Sequence, residues 1–202
     1  MSFSVNKCET FNLADTLLCG QIFRYKIEDS TYTIISRDKF LIVHEENGTY
    51  YCESNDDEYF KTFFHLDYDY TALVKRFSHD KVLETPIKYS RGIHILKQDP
   101  FEMIVSFLIS QNNNIPRIQS TIEKLCSSLG NKIPDTDLFS FPTCEVLSTA
   151  DLSRYGLGYR DTYISDTCKA LLNVNIQELS KLNTNELYNF LLTLKGVGPK
   201  VA

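Results

Sequence analysis

The sequence predicts an α+β chain, with an N-terminal antiparallel β-sheet subdomain over residues 1–92 and an all-helical domain over residues 93–202. Three observations predict it. Runs rich in β-branched and aromatic residues, broken by turn residues, fill the first third. Beyond Ile93 apolar residues recur at spacings of three and four. Strands come first and helices afterwards, the order of an α+β chain with two subdomains rather than of alternating βαβ units.

Thr31–Ser36 and Lys39–His44 read as strands separated by the polar pair Arg37-Asp38. Asn47-Gly48, a strong short hairpin signal, leads into a third strand, Thr49–Glu53. A helical stretch is expected around Glu58–Phe77. Asp99-Pro100-Phe101-Glu102 has the parts of a helix start: an Asp cap, Pro in the first turn and Glu three residues after the cap. Phe101, Ile104, Val105, Leu108 and Ile109 then mark one broad buried face, which ends at the polar break Gln111–Asn114. A second helix carries Ile115, Ile118, Ile122, Leu125 and Leu129 and stops at Gly130. A third runs from Arg160 to Leu172 after the glycine-broken Tyr155–Gly158. A fourth starts near Thr184 as cap and buries Leu187, Phe190, Leu191 and Leu194.

At 43% hydrophobic and 23% charged the 202 residues can build a globular core. No apolar run is long enough for a bilayer, and no basic-then-apolar leader opens the chain. Six cysteines, none in a C-x-x-C pair, read as reduced thiols of an intracellular protein. The net charge of −5 weighs against a simple polyanion binder. The acid is uneven, however. Residues 1–99 carry 12 Lys/Arg against 16 Asp/Glu, and residues 100–202 carry 9 against 10. Between Glu45 and Asp69 eight acidic residues face one base, Lys61, a pattern expected of a solvated face turned away from any polyanion. The four histidines are isolated, and no metal or iron–sulfur ligand set is visible, so no cofactor is expected.

The terminal run Leu194–Ala202 (LKGVGPKVA) carries the most specific signal. Lys195-Gly196-Val197-Gly198 can turn tightly, and Pro199 is preset for the first turn of a new helix. Such a hairpin exposes backbone N–H groups that can grip a DNA phosphate. Taken alone, a glycine turn serving only the core is about as good a reading. Lys200 shifts the balance. In the first turn of a helix the dipole disfavours an ammonium ion, and partial burial would push the same way, favouring a nucleophilic amine.

With these residues in view, LKGVGPKVA resembles the helix-hairpin-helix of DNA glycosylases, and Lys200 matches the lysine of their bifunctional members. Gly20–Tyr25 (GQIFRY), Gln98–Arg117 (QDPFEMIVSFLISQNNNIPR) and Gly156–Arg160 (GLGYR) resemble the 8-oxoguanine DNA glycosylase subfamily. The four matches fall in the same order over essentially the whole chain.

The resemblance implies base-excision repair of duplex DNA carrying an oxidised purine, by a monomer without metal or cofactor. The compartment would be cytoplasm or nucleoid in a bacterium and nucleus in a eukaryote. Lys200 would attack C1′ of the damaged nucleoside and leave a Schiff base, from which β-elimination nicks the strand. Gly20 would offer its backbone carbonyl to the flipped base, since 8-oxoguanine carries a hydrogen where guanine presents the N7 acceptor. Asn112, Arg117 and Arg160 would hold the orphaned cytosine and Tyr159 would wedge into the vacated stack. Gly196, Val197 and Gly198 would grip phosphate.

Two departures stand out. The resembled stretch has serine where this chain has Gln111, which touches the opposite-base contacts. The family also has an acidic residue downstream of the hairpin, whereas here only Val201 and Ala202 follow Lys200. The helical domain is therefore expected to be incomplete at its C-terminal end, as a fragment of a longer enzyme rather than a weak finished one. Two other readings stay open: a monofunctional alkylbase glycosylase using water as nucleophile, and a truncated, non-catalytic DNA-binding module.

Overall fold

The computed structural model describes residues 2–179 and 181–202. It divides into two compact units, Met1–Ile35 with Lys39–Lys97, and Ser36–Asp38 with Gln98–Ala202.

The first unit is built on a five-stranded antiparallel sheet. Its elements in chain order are β1 (Ser2–Asn6), α1 (Leu13–Leu18), β2 (Tyr25–Glu28), β3 (Thr31–Ser36), β4 (Lys39–Glu46) and β5 (Thr49–Ser54). The strand order is β1-β5-β4-β3-β2, so the three strands expected from sequence form the centre. The strands that the sequence does not announce, β1 and β2, are the edges. They are short and largely exposed, so they lack the apolar alternation of a half-buried strand. Between β4 and β5, Asn47 (φ 50°) and Gly48 (φ 76°) both take the left-handed conformation that a two-residue hairpin turn requires.

The helical stretch expected over Glu58–Phe77 is two helices, α2 (Asp57–Phe63) and α3 (Tyr70–Phe77). His65 turns left-handed (φ 54°) and Asp69 caps a new helix, accepting from Ala72 N–H (2.9 Å), so one continuous helix cannot form. A short helix, α4 (Glu84–Ser90), follows. One face of the sheet and these helices enclose Leu13, Leu17, Ile34, Leu41, Tyr50, Phe60 and Phe63, all at most 2% exposed. Each such side chain contributes about 1.5–3 kcal/mol of burial. Residues 93–97, which resemble the helical part in sequence, belong to the sheet unit. Leu96 N–H donates to Gln21 Oε1 (2.9 Å) and Lys97 N–H to the Phe63 carbonyl (2.8 Å).

The second unit is helical: α5 (Pro100–Ser110), α6 (Ile115–Leu129), α7 (Cys144–Thr149), α8 (Arg160–Leu171), α9 (Ile176–Leu179) and α10 (Thr184–Leu192). The expected Asp99 cap is present, accepting from Glu102 N–H (2.9 Å). Asn114 caps α6 in the same way through Arg117 N–H (3.1 Å). Val105, Leu108, Ile109, Ile122, Leu125, Leu147 and Ile164 form the core. The cap of α10 is Asn183 rather than Thr184, and it exchanges reciprocal bonds with Glu186 in a capping box. Of the residues expected to be buried at this end, only Leu194 is. Leu187, Phe190 and Leu191 are half-buried, and Leu187 and Leu191 line an open apolar groove with Met103, Ile104, Phe107 and Val201. All six cysteines are free thiols, and burial pushes Cys52 up to about 12. No described helix is long and apolar enough to cross a membrane.

Candidate functional site

Three segments of the helical unit meet at one open cleft: the end of α5, the start of α8 and the turn after α10. Gln111, Tyr159, Tyr163, Gly196, Val197 and Gly198 line it.

The turn itself is tied down from α8. Gly196 has φ +81°, and a Cβ there would lie 2.3 Å from Cδ2 of Tyr163, so only glycine lets the ring pack flush against the backbone. Thr167 Oγ1 donates to the Lys195 carbonyl (3.2 Å), and Lys195 Nζ pairs with Asp166 Oδ2 (2.7 Å). That ammonium holds the Asp166 carboxyl below its ordinary range. The N–H groups of the turn are not equivalent. Val197 N–H donates inward to the Leu194 carbonyl (3.1 Å). The N–H groups of Gly198 and Lys200 have no acceptor among the described residues. A Cβ on Gly198 would meet nothing within 4 Å.

Lys200 follows directly. Partial burial in the first turn of a new helix was the expectation; Lys200 is instead exposed in a turn, where Val201 and Ala202 N–H both reach back to the Gly198 carbonyl (2.9 and 3.0 Å).

The remaining sequence-identified residues of this unit sort into two groups. Tyr159 is 50% exposed and stands off the surface, with Tyr163 edge-on behind it (5.5 Å) and the Arg160 guanidinium over its ring (4.7 Å). Asn112 is exposed in a left-handed conformation (φ 47°), and Arg117 is exposed with Nη2 near the Gly156 carbonyl (3.2 Å). Arg160 differs from both. It is only 6% exposed, and its donors point at backbone: Nε and Nη2 to the Gln111 carbonyl, Nη2 to the Asn112 carbonyl (2.9 Å) and Nη1 to the Leu157 carbonyl (3.0 Å). In this arrangement Arg160 holds the Asn112 loop through its main-chain carbonyls.

Gly20 lies in the sheet unit, in a positive-φ conformation (φ +89°) with nothing near its missing Cβ. The next residue, Gln21, anchors it: its Nε2 donates to the carbonyls of His94 (2.8 Å) and Thr16 (3.1 Å). The backbone next to Gly20 is thus tied down by partly buried polar bonds.

Residues 3–104 match the family model described as 8-oxoguanine DNA glycosylase, N-terminal domain. The fold matches the solved structure of the Clostridium acetobutylicum 8-oxoguanine glycosylase/lyase with a TM-score of 0.90 at 32% identity, over 99% of this chain and 74% of that one. The chain belongs to the 8-oxoguanine DNA glycosylase family. The same Clostridium enzyme in complex with double-stranded DNA containing cytosine opposite 8-oxoguanine aligns with a TM-score of 0.89. An N-glycosylase/DNA lyase of Saccharomyces cerevisiae is 32% identical over 98% of this chain, which spans 62% of that relative's length.

Within this 8-oxoguanine glycosylase fold, Tyr163, Asp166 and the side chain of Gln111 are contacts that sequence reasoning did not find. Tyr163 did carry a signal: it stands four residues after Tyr159, on the same helical face. Asp166 carried none, and Gln111 only a departure from serine that does not name its partner, because those partners lie 29 and 85 residues away in sequence.

Proposed function

We propose that this chain supplies the lesion-recognition and nucleophile-bearing part of a bifunctional glycosylase/lyase that excises 8-oxoguanine opposite cytosine from duplex DNA. The observation that carries the reading is the position of Lys200. Its amine is exposed immediately after a turn whose Gly198 and Lys200 N–H groups have no acceptor among the described residues, beside a cleft walled by Tyr159. A phosphate seated on those N–H groups would fix the strand against the amine without reading sequence.

Chemically, the Lys200 amine forms a bond to C1′ as the C1′–N9 bond breaks, and the departing base leaves protonated. Sugar-ring opening gives an imine, which acidifies C2′–H. Loss of that proton expels the 3′-phosphate by β-elimination, and hydrolysis frees the lysine. Gly20 would accept the N7 hydrogen that distinguishes 8-oxoguanine from guanine. Asn112 and Arg117 would face the orphaned cytosine, Tyr159 would fill the stack, and Arg160 would keep the Asn112 loop in place.

Borohydride trapping on a duplex with 8-oxoguanine opposite cytosine tests this. A covalent complex with the wild-type chain, lost in Lys200→Gln with duplex affinity kept, is expected. A duplex bound without trapping by the wild type would overturn the lyase chemistry and favour a water-using glycosylase or a binding module.

A further inference from the structure

We propose that Gln111 is a positioning residue which locks the Asn112 loop to the Gly196 turn, so that the opposite-base contact and the phosphate grip move as one body. The inference rests on the DNA-repair reading above and deepens it by naming what couples its two DNA contacts.

The hydrogen bonds form a continuous path. At its buried end is the Arg160 guanidinium, bonded to the main-chain carbonyls of both Gln111 and Asn112. Those bonds hold the loop while Asn112 keeps its left-handed backbone, a conformation uncommon for any residue with a Cβ. From the same residue the Gln111 side chain leaves for the turn, where Nε2 donates to the Gly196 carbonyl (2.9 Å). The acceptor is immobilised in turn. The Tyr163 ring fills the space beside the Gly196 Cα, and φ +81° fixes which way the peptide faces.

The chemistry at the Gly196 carbonyl demands a donor, so the amide of Gln111 is specified and not merely its length. A carboxylate of the same shape would set an acceptor against an acceptor and break the path. Protonation of that carboxylate would restore a donor. The prediction thus separates hydrogen bonding from packing.

The test uses the full chain and two duplexes, one holding a tetrahydrofuran abasic analogue opposite cytosine and one undamaged. The readout is the ratio of the two affinities. Gln111→Glu is expected to lower the ratio about tenfold at pH 8 and to recover in part at pH 5, while the wild-type ratio stays flat. Gln111→Leu should lower it about fivefold at both, the usual worth of one neutral hydrogen bond. Retention of the wild-type ratio by Gln111→Glu at pH 8, or equal losses at the two pH values, would overturn the proposal.

Hydrogen exchange at the Gly196 to Gly198 amides without DNA reads the same path independently of function. Faster exchange in Gln111→Glu than in the wild type is expected, and equal exchange would overturn the lock. A wild type that does not prefer the abasic duplex, with exchange still faster in the variant, would sink the repair reading and leave the lock standing.

Discussion

Two glycine turns, one in each unit, are held in opposite ways. The Asn47-Gly48 turn is closed by its own sheet: β4 and β5 pair up to Glu46 and Thr49, and Lys7 N–H adds a ladder-like bond to the Gly48 carbonyl (2.9 Å). Nothing lies within 4 Å of where a Gly48 Cβ would be. The Gly196 turn has no ladder. Gln111, Tyr163, Asp166 and Thr167 fix it from outside, the three hydrogen-bonded ones lying 28 (Thr167), 29 (Asp166) and 85 (Gln111) residues from their partners in sequence. A turn that only reverses the chain can be made by its neighbours. The Gly196 turn keeps one local bond, Val197 N–H to the Leu194 carbonyl, and takes the rest of its rigidity from distant side chains.

Exchanging each glycine for alanine is the strongest way to break the comparison. Gly196→Ala meets both a positive φ and the Tyr163 ring at 2.3 Å, so either the ring or the turn must move. We expect a loss of about 2–4 kcal/mol in the stability of the helical unit and loss of duplex binding. Gly48→Ala meets only the backbone penalty, about 1 kcal/mol, with DNA affinity unchanged. Denaturant unfolding and a binding titration on the two variants check this. Equal effects on affinity would mean that the Gly196 turn is no more than a connection.

This contrast also explains what the sequence could reveal. Central strands, the Asn47-Gly48 turn, the Asp99 cap and the limits of α6 are written in neighbouring residues, and each appears within a residue or two of its expected place. The edge strands β1 and β2 are not, because an exposed edge needs no apolar alternation. At the candidate site, residue types were legible and their environments were not. Arg160 was recognisable from GLGYR, but that its guanidinium is buried on carbonyls depends on residues 48 and 49 positions away. Gln111 stood out only as a departure from serine, and its bond to Gly196 gives that departure a physical content. Lys200 was found by its motif, while its exposed place in a turn is a fact of the structure.

An intermediate effect should separate the units by pH. His94, in the sheet unit, stacks on Tyr70 (3.8 Å) and places its two ring nitrogens against the carbonyls of Phe64 (2.8 Å) and Thr10 (2.7 Å). Burial pushes its pKa below the ordinary 6.5, outweighing those two carbonyls. The folded ring therefore takes up its proton at a lower pH than the unfolded ring. Its contribution to stability is complete above pH 6.5 and is lost as the pH falls towards the lower folded value. The slope is at most about 1.4 kcal/mol per pH unit. Unfolding of the sheet unit followed from pH 7.5 to 5 should show this fall, and His94→Gln should flatten it. A parallel fall in the helical unit would show that His94 is not its source.

The smallest effect on stability should come from Gly198, and it sharpens the comparison most. Gly198 lacks the positive φ of Gly196, and a Cβ there would meet nothing within 4 Å. The fold therefore has no need of glycine at this position, and Gly198→Ala should change stability by no more than about 0.5–1 kcal/mol, in the stabilising direction, because alanine restricts the unfolded chain. Its N–H nevertheless has no acceptor among the described residues, so it is free to meet a phosphate oxygen. A methyl group beside it should weaken duplex binding severalfold in a protein that melts no earlier than the wild type. Unchanged affinity would move the phosphate off Gly198 and leave the Lys200 N–H as the contact to test next.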